Sequence, residues 1–181
     1  MRSLNRRDFL QKSAGLAGIS MLAPHALINQ PLDLPAKKFA LGFQSWVVRE
    51  PLNQDFAGTL KKMASQGYQS IEMCSPVGYS KAGFAPLEKM PVKEMKRIMK
   101  GEGISCESSH FTFRELENNI EASIEFAQEL GLKQMVVSST GLREDATIYD
   151  WKKAAGVMNR WGMLTKKEGL PFAFHNHNLE F

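Results

Sequence analysis

The sequence predicts an α/β chain built as part of a (β/α)8 barrel, and three observations predict it. Strand-like and helix-like segments alternate strictly, which calls for a parallel sheet with right-handed crossovers. Gly67, Gly103, Gly131 and Gly169 each stand between a helical pattern and an apolar run, where glycine closes a helix before a short loop. Polar side chains gather at the carboxyl end of nearly every apolar run: Gln44, Glu72, His110, Ser138 with Ser139, and His175 with His177. A barrel draws its site from the ends of several strands. An open sheet concentrates it at one switch point. A five-stranded open parallel sheet is the alternative.

Residues 1–26 read as a twin-arginine export signal. Arg6 and Arg7 precede Phe9 and Leu10, and the stretch 13–23 is small, apolar and uncharged. That stretch falls short of the about 20 residues a membrane span needs, so no stable membrane anchor is expected and the destination is the periplasm. Residues 27–38, with two prolines, read as a linker. The domain proper is 39–181.

Within it the expected strands are 39–46, 68–74, 104–110, 134–139 and 171–177. The expected helices are 55–66, 91–100, 118–130 and 150–167. Their apolar residues recur at helical spacing, as in Phe56, Leu60, Met63 and Ala64, or Val92, Met95, Ile98 and Met99. Pro91 suits a first turn, and Asn118 and Asp150 suit N-caps. A whole barrel needs eight such units and about 250 residues. The expectation is therefore an amino-terminal part of a barrel, its first five strands and four helices, inactive alone.

Composition narrows the function. With 43% hydrophobic and 23% charged residues the chain is globular rather than disordered. Two cysteines exclude a disulfide scaffold. Arg2, Arg6, Arg7 and Lys12 against Asp8 carry most of the formal charge of +4, so the domain itself is nearly neutral and no nucleic-acid partner is expected.

The strongest candidate site is the run from Phe172 to His177. On a strand, Phe172 and Phe174 would face the helices, and Ala173, His175 and His177 the interior. Two imidazoles at that spacing can bind one divalent metal, or divide metal binding and proton transfer; two hydrogen-bonded core histidines are the plainer reading. In the second run Ile71 and Met73 face one way and Glu72 the other, and a carboxylate inside a barrel needs a partner, a metal or a ligand. His110 closes the third run, though polar residues on both parities blur its alternation. Gln44 and Trp46 share a parity at the end of the first run; an amide beside a ring suits a sugar, and core packing suits them equally. Cys74 and Cys106 fall on neighbouring strands, either free or bonded.

The segments 42–46, 67–72, 108–110, 135–139 and 174–181 resemble the exported sugar phosphate isomerase/epimerase family. The resemblance implies a xylose isomerase-like TIM barrel, a carbohydrate substrate and proton transfer beside a sugar carbonyl. It also implies a divalent metal (Mn, Mg, Zn or Co) with a ligand at or near His175, Glu180 lying in the same motif. Glu72, His110 and His177 would be the catalytic groups, and Gln44 and Trp46 would meet the substrate. A lyase on oxidised sugars and a non-catalytic exported sugar-binding protein are the rival readings.

Overall fold

A computed structural model describes residues 39–178; the expected export signal, the linker and Glu180 lie outside the described residues. Five strands form one parallel sheet: β1 (Gly42–Gln44), β2 (Ser70–Cys74), β3 (Ser105–Phe111), β4 (Gln134–Val137) and β5 (Phe172–Phe174). Their order across the sheet is their order along the chain. A doubly wound sheet reverses direction at a switch point and carries helices on both faces. Right-handed crossovers that never reverse put every helix on one face, and the other face becomes the inner wall of a barrel. The topology therefore sets aside the open-sheet alternative.

The helices are α1 (Arg49–Gln54), α2 (Phe56–Ser65), α3 (Ala85–Glu88), α4 (Val92–Gly101), α5 (Phe113–Leu130) and α6 (Ile148–Lys167). The short α1 and α3 were not expected; both lie in βα connections. The apolar residues Ile71, Met73, Phe111, Met135 and Val137 point from the strands into a core with Leu60, Met95, Met99, Ile124 and Leu130 of the helices. Gly131 ends α5 with φ of 89°, a left-handed conformation that an L side chain resists.

Several expected boundaries move, each for a local reason. β1 stops at Gln44, because the Gln44 side chain accepts the Trp46 backbone N–H and turns the chain into a 3₁₀ segment, Ser45–Val48. Trp46 is therefore on a turn and not on the strand. α5 begins at Phe113, not at Asn118: Thr112 and Glu115 form a capping box that satisfies the first N–H groups. The Asn118 signal is nevertheless nearly right. Asn119 breaks the helical path (φ −160°, ψ 84°), and its Oδ1 accepts the Ala122 N–H at 3.0 Å, so the helix restarts there. Thr147 caps α6, and Asp150 closes the box rather than capping. Pro91 precedes the first turn of α4 as its N-cap residue.

β3 carries the one irregularity of the sheet that matters for the site. Ile71 pairs with Cys106, yet Glu72 pairs with Ser108, so Glu107 has no partner on β2. This bulge absorbs one residue and reverses the alternation of faces along β3. After it, Ser109 and Phe111 are buried on the helix side, while Ser108 and His110 share the inner face with Glu72 and Cys74. Glu107 is exposed and ion-paired with Lys133 at 2.7 Å.

Candidate functional site

A cavity of about 650 Å³ opens at the carboxyl ends of the strands. Glu72, Cys74 and His110 form its floor, His175, His177, Ser138 and Ser139 one side, and Gln44, Trp46, Val47 and Tyr79 the other. The structure thus brings together every described residue that the sequence singled out as a site candidate.

Glu72 and His110 are in direct contact, with Oε2 3.1 Å from Nε2. His110 is 7% exposed, and the other Glu72 oxygen accepts a 2.7 Å hydrogen bond from Ser108 Oγ. The His110 N–H beside it holds the Glu72 carboxyl below its ordinary range; burial opposes this, and the Ser108 hydroxyl and the charges of His110 and His175 reinforce it. Nε2 of His110 thus faces a carboxylate oxygen, which fixes the orientation of the ring. The pair is suited to proton transfer: an imidazole oriented by a carboxylate that stabilises its charged form.

His175 and His177 lie beyond the end of β5, which stops at Phe174, so strand parity does not place them as expected. They meet at the same cavity all the same. The His175 ring centroid is 4.9 Å from that of His110 and 4.7 Å from that of His177. Phe172 and Phe174 face α6, as the alternation implied. Among the described residues no group of three or more His, Cys, Asp or Glu stands in an arrangement that would hold a metal ion. The described residues therefore do not complete a metal centre.

The opposite wall is fastened by hydrogen bonds. Gln44 spends its carbonyl on the Trp46 N–H (2.5 Å) and its amide on Cys74 Sγ (3.2 Å). Buried Ser45 accepts the Cys74 N–H at 2.7 Å. Burial pushes the Cys74 thiol up. Cys74 and Cys106 are both free, since the register sets Cys74 opposite His110 and Cys106 opposite Ile71. Burial also drives the Cys106 thiol up to about 12.

Sequence reasoning missed three contributors. Tyr79, in the loop after β2, donates to Ser138 Oγ at 2.5 Å; burial pushes its hydroxyl up to about 12, so it remains a donor. Glu115 fastens that same loop by accepting from Ser75 Oγ, and its signal was the Thr112/Glu115 spacing of a capping box. Ser108 was hidden by the bulge.

No protein-family model and no curated protein matches the sequence. Solved structures do match in fold. A sugar phosphate isomerase/epimerase from Parabacteroides distasonis has a TM-score of 0.62 at 24% identity over 78% of this chain and 53% of its own. A second from that organism has 0.65 at 21% identity over 80% of this chain and 57% of its own. An IolI protein with a bound zinc atom has 0.57 at 16% identity over 75% and 51%. The fold is thus five parallel strands and their helices matching part of the TIM barrel of these structures, and the chain spans little more than half their length.

Proposed function

We propose that the cavity is the site of a sugar isomerase- or epimerase-like enzyme that moves a proton on the carbon next to a carbonyl. The observation that carries this is the Glu72–His110 contact, buried at the floor of a cavity at the carboxyl end of a parallel barrel sheet. In the proposed step His110 takes the proton from that carbon, the electron pair moves towards the carbonyl oxygen, and Glu72 stabilises the imidazolium. Return of a proton to the same or the neighbouring carbon gives epimerisation or isomerisation. His177, at the rim, is the second acid–base group. The neighbouring fold proteins named as sugar isomerases or epimerases support the substrate class.

A divalent metal belongs to this proposal through His175, whose further ligands would come from outside residues 39–178. Such an ion supplies polarisation of a carbonyl when bound. No step above is routed through it. Export by the twin-arginine route also belongs to the proposal, on the Arg6–Arg7 pair. Changing both to Lys is expected to leave the protein in the cytoplasm, and continued export would remove the assignment.

The test is exchange. The whole protein is incubated in D2O with a panel of aldoses and ketoses, and deuterium next to the carbonyl is followed by NMR. Exchange that falls about 10²- to 10⁴-fold in Glu72→Gln or His110→Asn is expected. Saturable sugar binding without any exchange would instead make the protein a non-catalytic binder.

A further inference from the structure

Trp46 lines the cavity wall beside Tyr79, and although it is 42% exposed both its backbone and its ring have partners. Its backbone N–H donates to Gln44 Oε1, and its carbonyl accepts from Arg49 Nη1 at 3.0 Å. The Arg49 guanidinium also lies over the indole, with its central carbon 4.6 Å from the ring centroid. The Tyr79 ring meets the indole nearly edge-on at 6.0 Å. By contrast Trp161, a packing residue, is 6% exposed.

An apolar ring left in water forgoes the hydrophobic free energy of burial. Ordering it in advance lowers the cost of binding against it. A cation over the ring holds it by attraction to the π face. We propose that Trp46 is a fixed stacking platform for the C–H face of a pyranose ring, and that Arg49 is the residue that positions it. This rests on the reading of the cavity as a sugar site and adds that the sugar is received as a ring, its carbonyl carried on a ring carbon or freed by ring opening after binding. An acyclic polyol offers hydroxyls to the floor of the cavity but no flat apolar face to the indole.

The indole N–H signals of the whole protein, with that of Trp46 assigned through Trp46→Phe, are followed by ¹H–¹⁵N NMR. Methyl β-D-glucopyranoside and glycerol are the probes. The Trp46 signal is expected to move saturably with the glucoside and to stay still with glycerol at equal concentration. Arg49→Gln is expected to raise the Kd for the glucoside about fivefold. Arg49→Lys, which keeps a cation without the planar fork, is expected to recover part of that loss. A thermal melt of each variant separates loss of fold from loss of positioning.

An unmoved Trp46 signal overturns the platform, whether other signals report glucoside binding or none does. An equal response to glycerol overturns its preference for a ring. An unchanged Kd in folded Arg49→Gln overturns the positioning role. The two readings fail separately. Carbonyl-adjacent exchange with a still Trp46 removes only the platform, and glucoside bound at Trp46 with no exchange of any sugar removes only the enzyme.

Discussion

Ser108 on β3 donates to Glu72 on β2 across the bulge, Oγ to Oε1 at 2.7 Å, and so leaves the other carboxylate oxygen turned to His110. Two strands, one irregular pairing and one hydroxyl thus set the orientation of the carboxylate.

Ser108→Ala tests that orientation. The substitution removes one hydrogen bond to a charged acceptor, worth about 1.5 to 3 kcal/mol in general. Half-burial of Glu72 lets water replace part of it, so a loss of about 1 kcal/mol is expected, read from chemical denaturation. The exchange rate should fall with the KM held. An unchanged rate would show that Glu72 is oriented without Ser108.

Glu115 should give the fold a distinctive pH response. Burial raises its carboxyl above the ordinary value of 4.5, against the hydrogen bonds from Ser75, Thr112 and Gly78. A carboxyl raised in the folded state contributes most below its unfolded value, and that contribution is lost as pH rises through the folded value. The stability of Glu115→Gln relative to the wild type is therefore expected to improve from pH 4.5 to 7. A difference that stays constant, or moves the other way, would contradict the burial argument.

The two helix caps should differ in cost. Thr112 and Thr147 both cap through a box, but Thr112 is half-buried and its partner Glu115 also holds Ser75. Thr147→Ala is expected to cost about 1 kcal/mol and Thr112→Ala about 2. Equal losses in denaturant titrations would mean that the loop after β2 is held without Glu115.

Metal content separates the histidines. His110 is engaged with Glu72, whereas His175 and His177 lie side by side at the rim. Elemental analysis of the whole protein is expected to show His175→Ala with less bound divalent metal than His110→Ala. Metal retained in full by His175→Ala would take that residue out of the proposed ligand set.

Much of the fold could be read directly from residues, because the signals were local. Gly67, Gly103, Gly131 and Gly169 all adopt positive φ where a helix was expected to end. Ile71 and Met73 against Glu72 showed the faces of β2 from their alternation alone. Part of what escaped depended on a partner distant in the chain, and part on side chains whose local hydrogen bonds leave no periodic signal. The blurred parity around Ser105, Glu107 and Ser109 is the bulge, which exists only against β2. Trp46 left its strand because a neighbouring amide captured its N–H. Tyr79 sits in a loop with no periodicity and Arg49 opens the short α1, so nothing in their spacing announced the one as cavity wall or the other as the partner of Trp46.

The unpaired Glu107 has an unexpected corollary for chain length. Cys106 and Ser108 already face consecutive residues of β2. Deleting residue 107 would therefore straighten β3 and still leave His110 across from Cys74, at the cost of the surface ion pair with Lys133. Keeping residue 107 but forcing even pairing would do the reverse. It would carry His110 to the helix layer and swing Ser109 into the barrel, because a slip of one residue exchanges the two faces of a strand. The imidazole's place in the cavity thus survives loss of residue 107 together with its bulge, but not regular pairing with that residue kept.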